Sequence, residues 1–132
     1  MVISIYGGSG SGKTTLATAL QQYFFNDGRG CYLLSGDDYP HRIPKRNDEE
    51  QLRVYKEAGE DGLRGYLGTK KEIDFARINE VLAAFHEGKD TITLRHLERE
   101  DGEISSEETD FSGTSVLLLE WTHGGSDDLH GV

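Results

Sequence analysis

The chain has one cysteine, two prolines and few basic residues, 14 Lys and Arg against 24 Asp and Glu. A lone Cys31 excludes an internal disulfide, and its neighbours Tyr32, Leu33 and Leu34 predict a reduced thiol in the core. No run approaches the ~20 apolar residues that span a bilayer. With 35% hydrophobic and 29% charged residues, the composition predicts a soluble globular protein and no membrane partner. Val2-Ile3-Ser4-Ile5-Tyr6 follows the first residue without a basic segment or a small-residue cleavage site, so no secretory signal is visible and the cytoplasm is the expected compartment. The shortage of basic residues leaves a formal charge of −10, which argues against nucleic acid as a partner, because phosphate-backbone affinity comes from Lys and Arg. A protein that binds a nucleotide in such a field needs locally concentrated donors and a cation such as Mg²⁺.

The 132 residues predict one domain over 1–132 with one core. Val2 to Tyr6 is short, apolar and β-branched, as in a buried parallel strand, and glycines follow at once. Beyond Lys13, Leu16, Leu20, Tyr23 and Phe24 recur at helical spacing until Asn26-Asp27-Gly28. Cys31 to Leu34 reads as a second buried strand, giving βαβ order and a parallel sheet. Pro40 and Pro44 predict a loop, Asp48 to Ala58 a polar helix, and Gly59, Gly62, Gly65 and Gly68 a flexible surface loop. Phe75, Ile78, Leu82 and Phe85 predict an amphipathic helix from about Ile73 to His86. Thr91–Leu97 and Glu103–Thr109 flank Asp101-Gly102 as a polar, projecting hairpin over about 91–109. Val116 to Leu119 is a last buried strand, ending in Glu120-Trp121, and a polar, glycine-rich tail is expected to be solvated.

The chemistry is concentrated in Gly7-Gly8-Ser9-Gly10-Ser11-Gly12-Lys13-Thr14, which satisfies G-x-x-x-x-G-K-[ST] between a predicted strand and a predicted helix. Glycines let the backbone curl so that successive N–H groups face phosphate oxygens, and the helix N-terminus adds partial positive charge. Lys13 is expected at the β- and γ-phosphates of ATP, and Thr14 at Mg²⁺. Asp37 and Asp38 follow the second strand, at the edge where parallel α/β sheets bind ligands, so one of the pair is a candidate base or metal-holding carboxylate. An N-cap or Asx-turn is the competing role. Glu120 ends its strand at the same edge and is a candidate for the metal's water shell or a solvated strand end. Arg42, Lys45 and Arg46 offer either a clamp for an anionic group or a basic surface loop. Asp74 suits the first turn of a helix. His123, Asp127, Asp128 and His130 are metal-ligand types without the spacing of a closed site.

Three ordered blocks, Gly7 to Thr15, Ser35-Gly36-Asp37-Asp38-Tyr39 and Leu117-Leu118-Leu119-Glu120, resemble the uridine kinase and phosphoribulokinase family of P-loop kinases. The resemblance implies a three-layer α/β fold: a P-loop NTPase-type parallel sheet flanked by helices, with a projecting hairpin. It implies ATP and Mg²⁺, a small-molecule hydroxyl acceptor, Asp37 and Lys13 as catalytic residues, Gly7 to Thr15 as nucleotide-binding residues, and Thr14, Asp37 and Glu120 at the metal. Uridine kinases carry an Asn-Phe-Asp-His-Pro-like stretch where Tyr66-Leu67-Gly68-Thr69-Lys70-Lys71 stands here, and their hairpin Tyr-Asp is replaced around Arg95-His96. The family's arginine-bearing lid and adenine-contacting loop have no match, so the chain is either a truncated form or one that lacks the arginines that stabilise transferred charge. Leu34-Ser35-Gly36-Asp37-Asp38 also resembles adenylylsulfate kinases, and a nucleotide-binding module of weak catalysis that pairs with another chain, including a homo-oligomer, is the reading from a different class.

Overall fold

A computed structural model describes residues 1–8, 10–98 and 102–132, so Ser9 of the glycine loop and Asp101 of the predicted hairpin turn lie outside the described residues. Strands β1 (Val2–Ile5), β2 (Gly30–Ser35) and β5 (Thr114–Glu120) form a parallel sheet in the order β1-β5-β2. Strand β5 is central because Val116, Leu117, Leu118 and Leu119 are all buried, as both faces of a covered parallel strand must be. Register pairs Ile5 with Glu120 and Ser35 with Glu120, so all three strands end at one edge.

Helix α1 (Lys13–Asn26) covers one face, where Phe24 packs with Val116 and Leu118. Half of the predicted stripe is buried. Phe24 and the partly buried Leu20 pack in the core together with Ala17, whereas Leu16 is 51% and Tyr23 62% exposed. Apolar spacing alone admits either stripe, and contact with the sheet selects the one through the small Ala17. The other face carries α3 (Phe75–His86), whose Phe75, Ile78, Val81 and Leu82 join Leu117, Leu119 and Trp121 in the main core.

The glycine-punctuated stretch is the main departure from expectation, because α2 runs from Pro44 to Arg64 where only Asp48 to Ala58 was predicted helical. Pro44 opens the helix, a position where its missing N–H costs no hydrogen bond. Gly59 (φ 65°, ψ −156°) breaks it into two pieces, and Gly62 and Gly65 belong to the second piece and its C-cap. One left-handed residue absorbs the break, so Gly62 and Gly65 follow a helical path, whereas Gly68 (φ 71°) lies in the turn beyond α2, as the loop expectation had it.

Strands β3 (Thr91–Glu98) and β4 (Glu103–Asp110) pair antiparallel as the predicted hairpin. Strand β4 is largely exposed, but Ile92, Leu94 and Leu97 of β3 are buried, so the hairpin is anchored along one strand and does not simply project. Arg95 fixes it to the body: its guanidinium meets Asp74 Oδ2 at 3.1 Å and donates to Pro40 O at 2.9 Å, with only 12% of Arg95 and 17% of Asp74 exposed. Asp74 accepts from Arg77 N as the N-cap of α3, one residue before the first turn where its charge was expected, because the helix starts at Phe75 and not at Ile73. The tail is docked where solvation was expected. Leu129 is buried, His130 N donates to Asn79 Oδ1, and His86 Nε2 lies 2.6 Å from Gly131 O. Among the described residues no helix is long and apolar enough to cross a membrane.

Candidate active site

The loop between β1 and α1 turns through glycines that no other residue replaces cheaply. Gly12, the N-cap of α1, has φ 91°, and Gly7 has φ 153° with room for a Cβ blocked by Ser11 Oγ. Lys13 Nζ donates to Gly7 O at 3.0 Å and Gly8 O at 2.9 Å, which holds the ammonium over the loop. Thr14, one residue into α1, donates from Oγ1 to Glu120 Oε1 at 2.6 Å. The hydrogen bond ties the helix start to the end of the central strand.

Asp37 sits in a short 3₁₀ turn, Gly36–Asp38, directly after β2. It lines a cleft of about 430 Å³ together with Gly10, Gly12, Lys13, Thr14, Thr15, Glu120 and Thr122. Loop, helix start and two strand ends therefore converge as the topology requires, since parallel strands bring their carboxyl ends to one edge. The cleft combines one ammonium, helix-start N–H groups, three threonine side chains and two acidic side chains. That set suits a polyphosphate with a hard divalent cation: Thr14 Oγ1 and the carboxyl oxygens of Asp37 and Glu120 are the ligand chemistry that Mg²⁺ accepts, directly or through water.

A second cavity of about 240 Å³ adjoins the cleft and shares Asp37 and Thr122 with it. Asn47, Glu72, Trp121 and His123 add to its lining. Glu72 is fixed by Asn47 Nδ2 at 3.1 Å and Gln51 Nε2 at 3.0 Å on Oε2, and by Gly68 N at 2.9 Å on Oε1. Asn47 Oδ1 accepts in turn from Tyr66 Oη at 2.6 Å. Trp121 is 3% exposed, with its ring centroid 5.5 Å from that of Phe75 and 5.4 Å from that of His123. Tyr39, also in this wall, has its phenol pushed above its ordinary value by burial.

The structure thus gathers Lys13, Thr14, Thr15, Asp37 and Glu120, while other candidates go elsewhere. Arg42 donates to Tyr66 Oη and Lys71 O, and Arg46 pairs with Glu49 on α2. Asp38 lies 3.9 Å from His96 on β3. Asp128 pairs with Lys70, and among the described residues no group of three or more His, Cys, Asp or Glu could hold a metal. Sequence reasoning missed Asn47, Glu72, Trp121 and His123 as one cavity, because three separate segments supply them.

The phosphoribulokinase / uridine kinase family model matches residues 2–129. The bifunctional alpha-galactosidase/sucrose kinase AgaSK of Mediterraneibacter gnavus is 91% identical over all 132 residues, and the chain spans 14% of that protein's length. Adenylyl-sulfate kinase 1 of Arabidopsis thaliana is 52% identical over 42 residues, 32% of this chain and 15% of that one. The phosphoribulokinase of Rhodobacter spheroides superposes with a TM-score of 0.70 at 18% identity over 93% of this chain and 43% of its own. The P-loop, the acidic strand ends and the match across almost the whole chain agree, and the chain belongs to the phosphoribulokinase and uridine kinase family of P-loop kinases.

Proposed function

We propose that this chain supplies the phosphate-binding and acceptor-binding parts of an ATP-dependent kinase that phosphorylates a sugar hydroxyl, with sucrose as the first acceptor to test. The observation that carries the reading is the position of Asp37, on the wall between the cleft beneath the P-loop and the smaller cavity. The 91% identity to a protein named as a sucrose kinase favours a sugar over a nucleoside, as does Tyr66 to Lys71, which differs from the stretch of uridine kinases.

In this mechanism the loop amides and Lys13 bind the β- and γ-phosphates, and Lys13 exchanges the carbonyls of Gly7 and Gly8 for phosphate oxygens. Asp37 orients an acceptor hydroxyl in the adjoining cavity and takes its proton. The acceptor oxygen forms a bond to the γ-phosphorus as the bond to the β–γ bridging oxygen breaks, and ADP leaves with that electron pair. Thr14, Asp37 and Glu120 would hold Mg²⁺, which supplies neutralisation of phosphate charge when bound.

The test is ATP turnover with sucrose, glucose and uridine beside calorimetric ATP binding. Asp37→Asn should leave ATP affinity within about threefold and lower kcat by ~10²–10⁴. Normal transfer by that variant would remove Asp37 from the mechanism. ATP binding with no transfer to any of the acceptors would refute the kinase reading for this chain.

A further inference from the structure

We propose that the 240 Å³ cavity beside Asp37 selects a neutral polyhydroxyl ring and rejects anionic acceptors, with Glu72 and Asn47 as the specificity-determining pair. The proposal rests on the kinase reading only for the cavity's role as the acceptor site.

Charge is the first ground. The cavity lining includes the acidic side chains of Asp37 and Glu72, and none of its described lining residues is Lys or Arg. Arg42 reaches the network only through Tyr66 Oη, and Arg95 is engaged by Asp74 and Pro40. A phosphate, sulfate or carboxylate on the acceptor would enter next to two carboxylates, with no Lys or Arg of the described lining to pair with it and His123 as the one basic side chain there.

Hydrogen-bonding capacity is the second. A carboxylate offers about four acceptor sites, and Glu72 uses three, for Asn47, Gln51 and Gly68. Asn47 has given one N–H to Glu72 and one lone pair to Tyr66, which leaves it a donor and an acceptor. A hydroxyl both donates and accepts, so a polyol matches this remainder and an anion, which only accepts, does not. The network also holds both side chains in place before the ligand arrives, which lowers the ordering cost of binding. His123 and the small exposed part of Trp121 supply aromatic wall for the C–H faces of a ring. The volume lies below the ~300–1,000 Å³ typical of drug-sized pockets and suits one sugar ring.

Trp121 is the chain's single tryptophan and lines the cavity, so its emission reports occupancy without any turnover. The experiment titrates the chain with sucrose, glucose and glucose 6-phosphate, with and without ATP. Sucrose and glucose should change the emission saturably, and glucose 6-phosphate should bind at least ~10-fold more weakly than glucose, given the cost of like-charge juxtaposition. Glu72→Gln should weaken neutral-sugar binding ~10-fold or more and narrow the gap between glucose and its phosphate, with ATP affinity unchanged. His123→Gln leaves the Glu72 network intact and should weaken sugar alone, which keeps the test decisive if Glu72→Gln fails to fold. Equal or tighter binding of glucose 6-phosphate, no emission change with any acceptor, or sugar affinity unchanged in both variants would each overturn the inference, whatever the turnover assay gives. Sugar binding with the expected selectivity but no phosphoryl transfer would uphold the inference and refute the kinase reading.

Discussion

Replacing Gly36 by alanine should damage both the fold and the site, by an amount that the geometry bounds. A Cβ at Gly36 would stand 2.2 Å from Trp121 Cδ2 and Cγ and 2.7 Å from Trp121 Cβ, against the ~3.5–4.0 Å of relaxed carbon contacts. Relief requires a shift of more than 1 Å by Trp121 or by the Gly36–Asp38 turn. Trp121 is held between Phe75 and His123, and its N–H donates to Ile5 O through the backbone at 3.0 Å, so neither end is free to swing. Overpacking of this kind costs ~1–3 kcal/mol in ordinary cores, and the rigid ring places Gly36→Ala at the upper end, about 3 kcal/mol. For a domain of this size that lowers Tm by roughly 10 °C. Urea and thermal unfolding followed by Trp121 emission measure it directly. Gly65→Ala is the control: Gly65 is right-handed (φ −73°) and its Cβ would meet nothing nearer than 3.5 Å, so that change should be neutral or stabilise by ~0.4–1 kcal/mol. Stability of Gly36→Ala within ~0.5 kcal/mol of the parent chain would refute the close approach of the turn to Trp121, and with it the shape assigned to the cavity.

Lys13→Ala should weaken ATP binding by ~100-fold, since a charge-assisted contact to phosphate is lost; calorimetry that finds the affinity unchanged would remove Lys13 from the site. Thr14→Val and Glu120→Gln should each raise the Mg²⁺ concentration needed for ATP binding and act non-additively in the double variant, because the two side chains share a 2.6 Å hydrogen bond. Fully additive effects would separate their roles. Burial raises the phenol pKa of Tyr39, so the unfolded chain ionises first at high pH. The stability Tyr39 contributes is intact below the ordinary phenol value of about 10 and is lost as pH climbs from there through the raised folded value. Tyr39→Phe should flatten alkaline unfolding above that point, and an unchanged pH profile would contradict the assignment.

Residues whose role depends on their immediate neighbours were legible without coordinates. A β-branched run, glycines and Lys-Thr before a helical pattern specify strand, phosphate loop and helix by local geometry alone, and parallel-sheet topology then sends Asp37 and Glu120 to the loop's edge. The uninterrupted apolar run Val116 to Leu119 likewise announced the central strand. The path of residues 59–68 was not legible, because the same glycine can end a helix or break it and let it resume, and only the backbone angles at Gly59 distinguish the two. Which stripe of α1 is buried was likewise left to the sheet. The second cavity belongs entirely to tertiary structure: Asn47 lies on α2, Glu72 precedes α3 and Trp121 follows β5. No spacing in one dimension encodes that meeting. The sequence by itself determined that a nucleotide's phosphates have a place to bind, and folding decided what stands on the far side of Asp37, because hydrogen bonds between distant segments, such as Asn47 to Glu72, form only once the layers have packed.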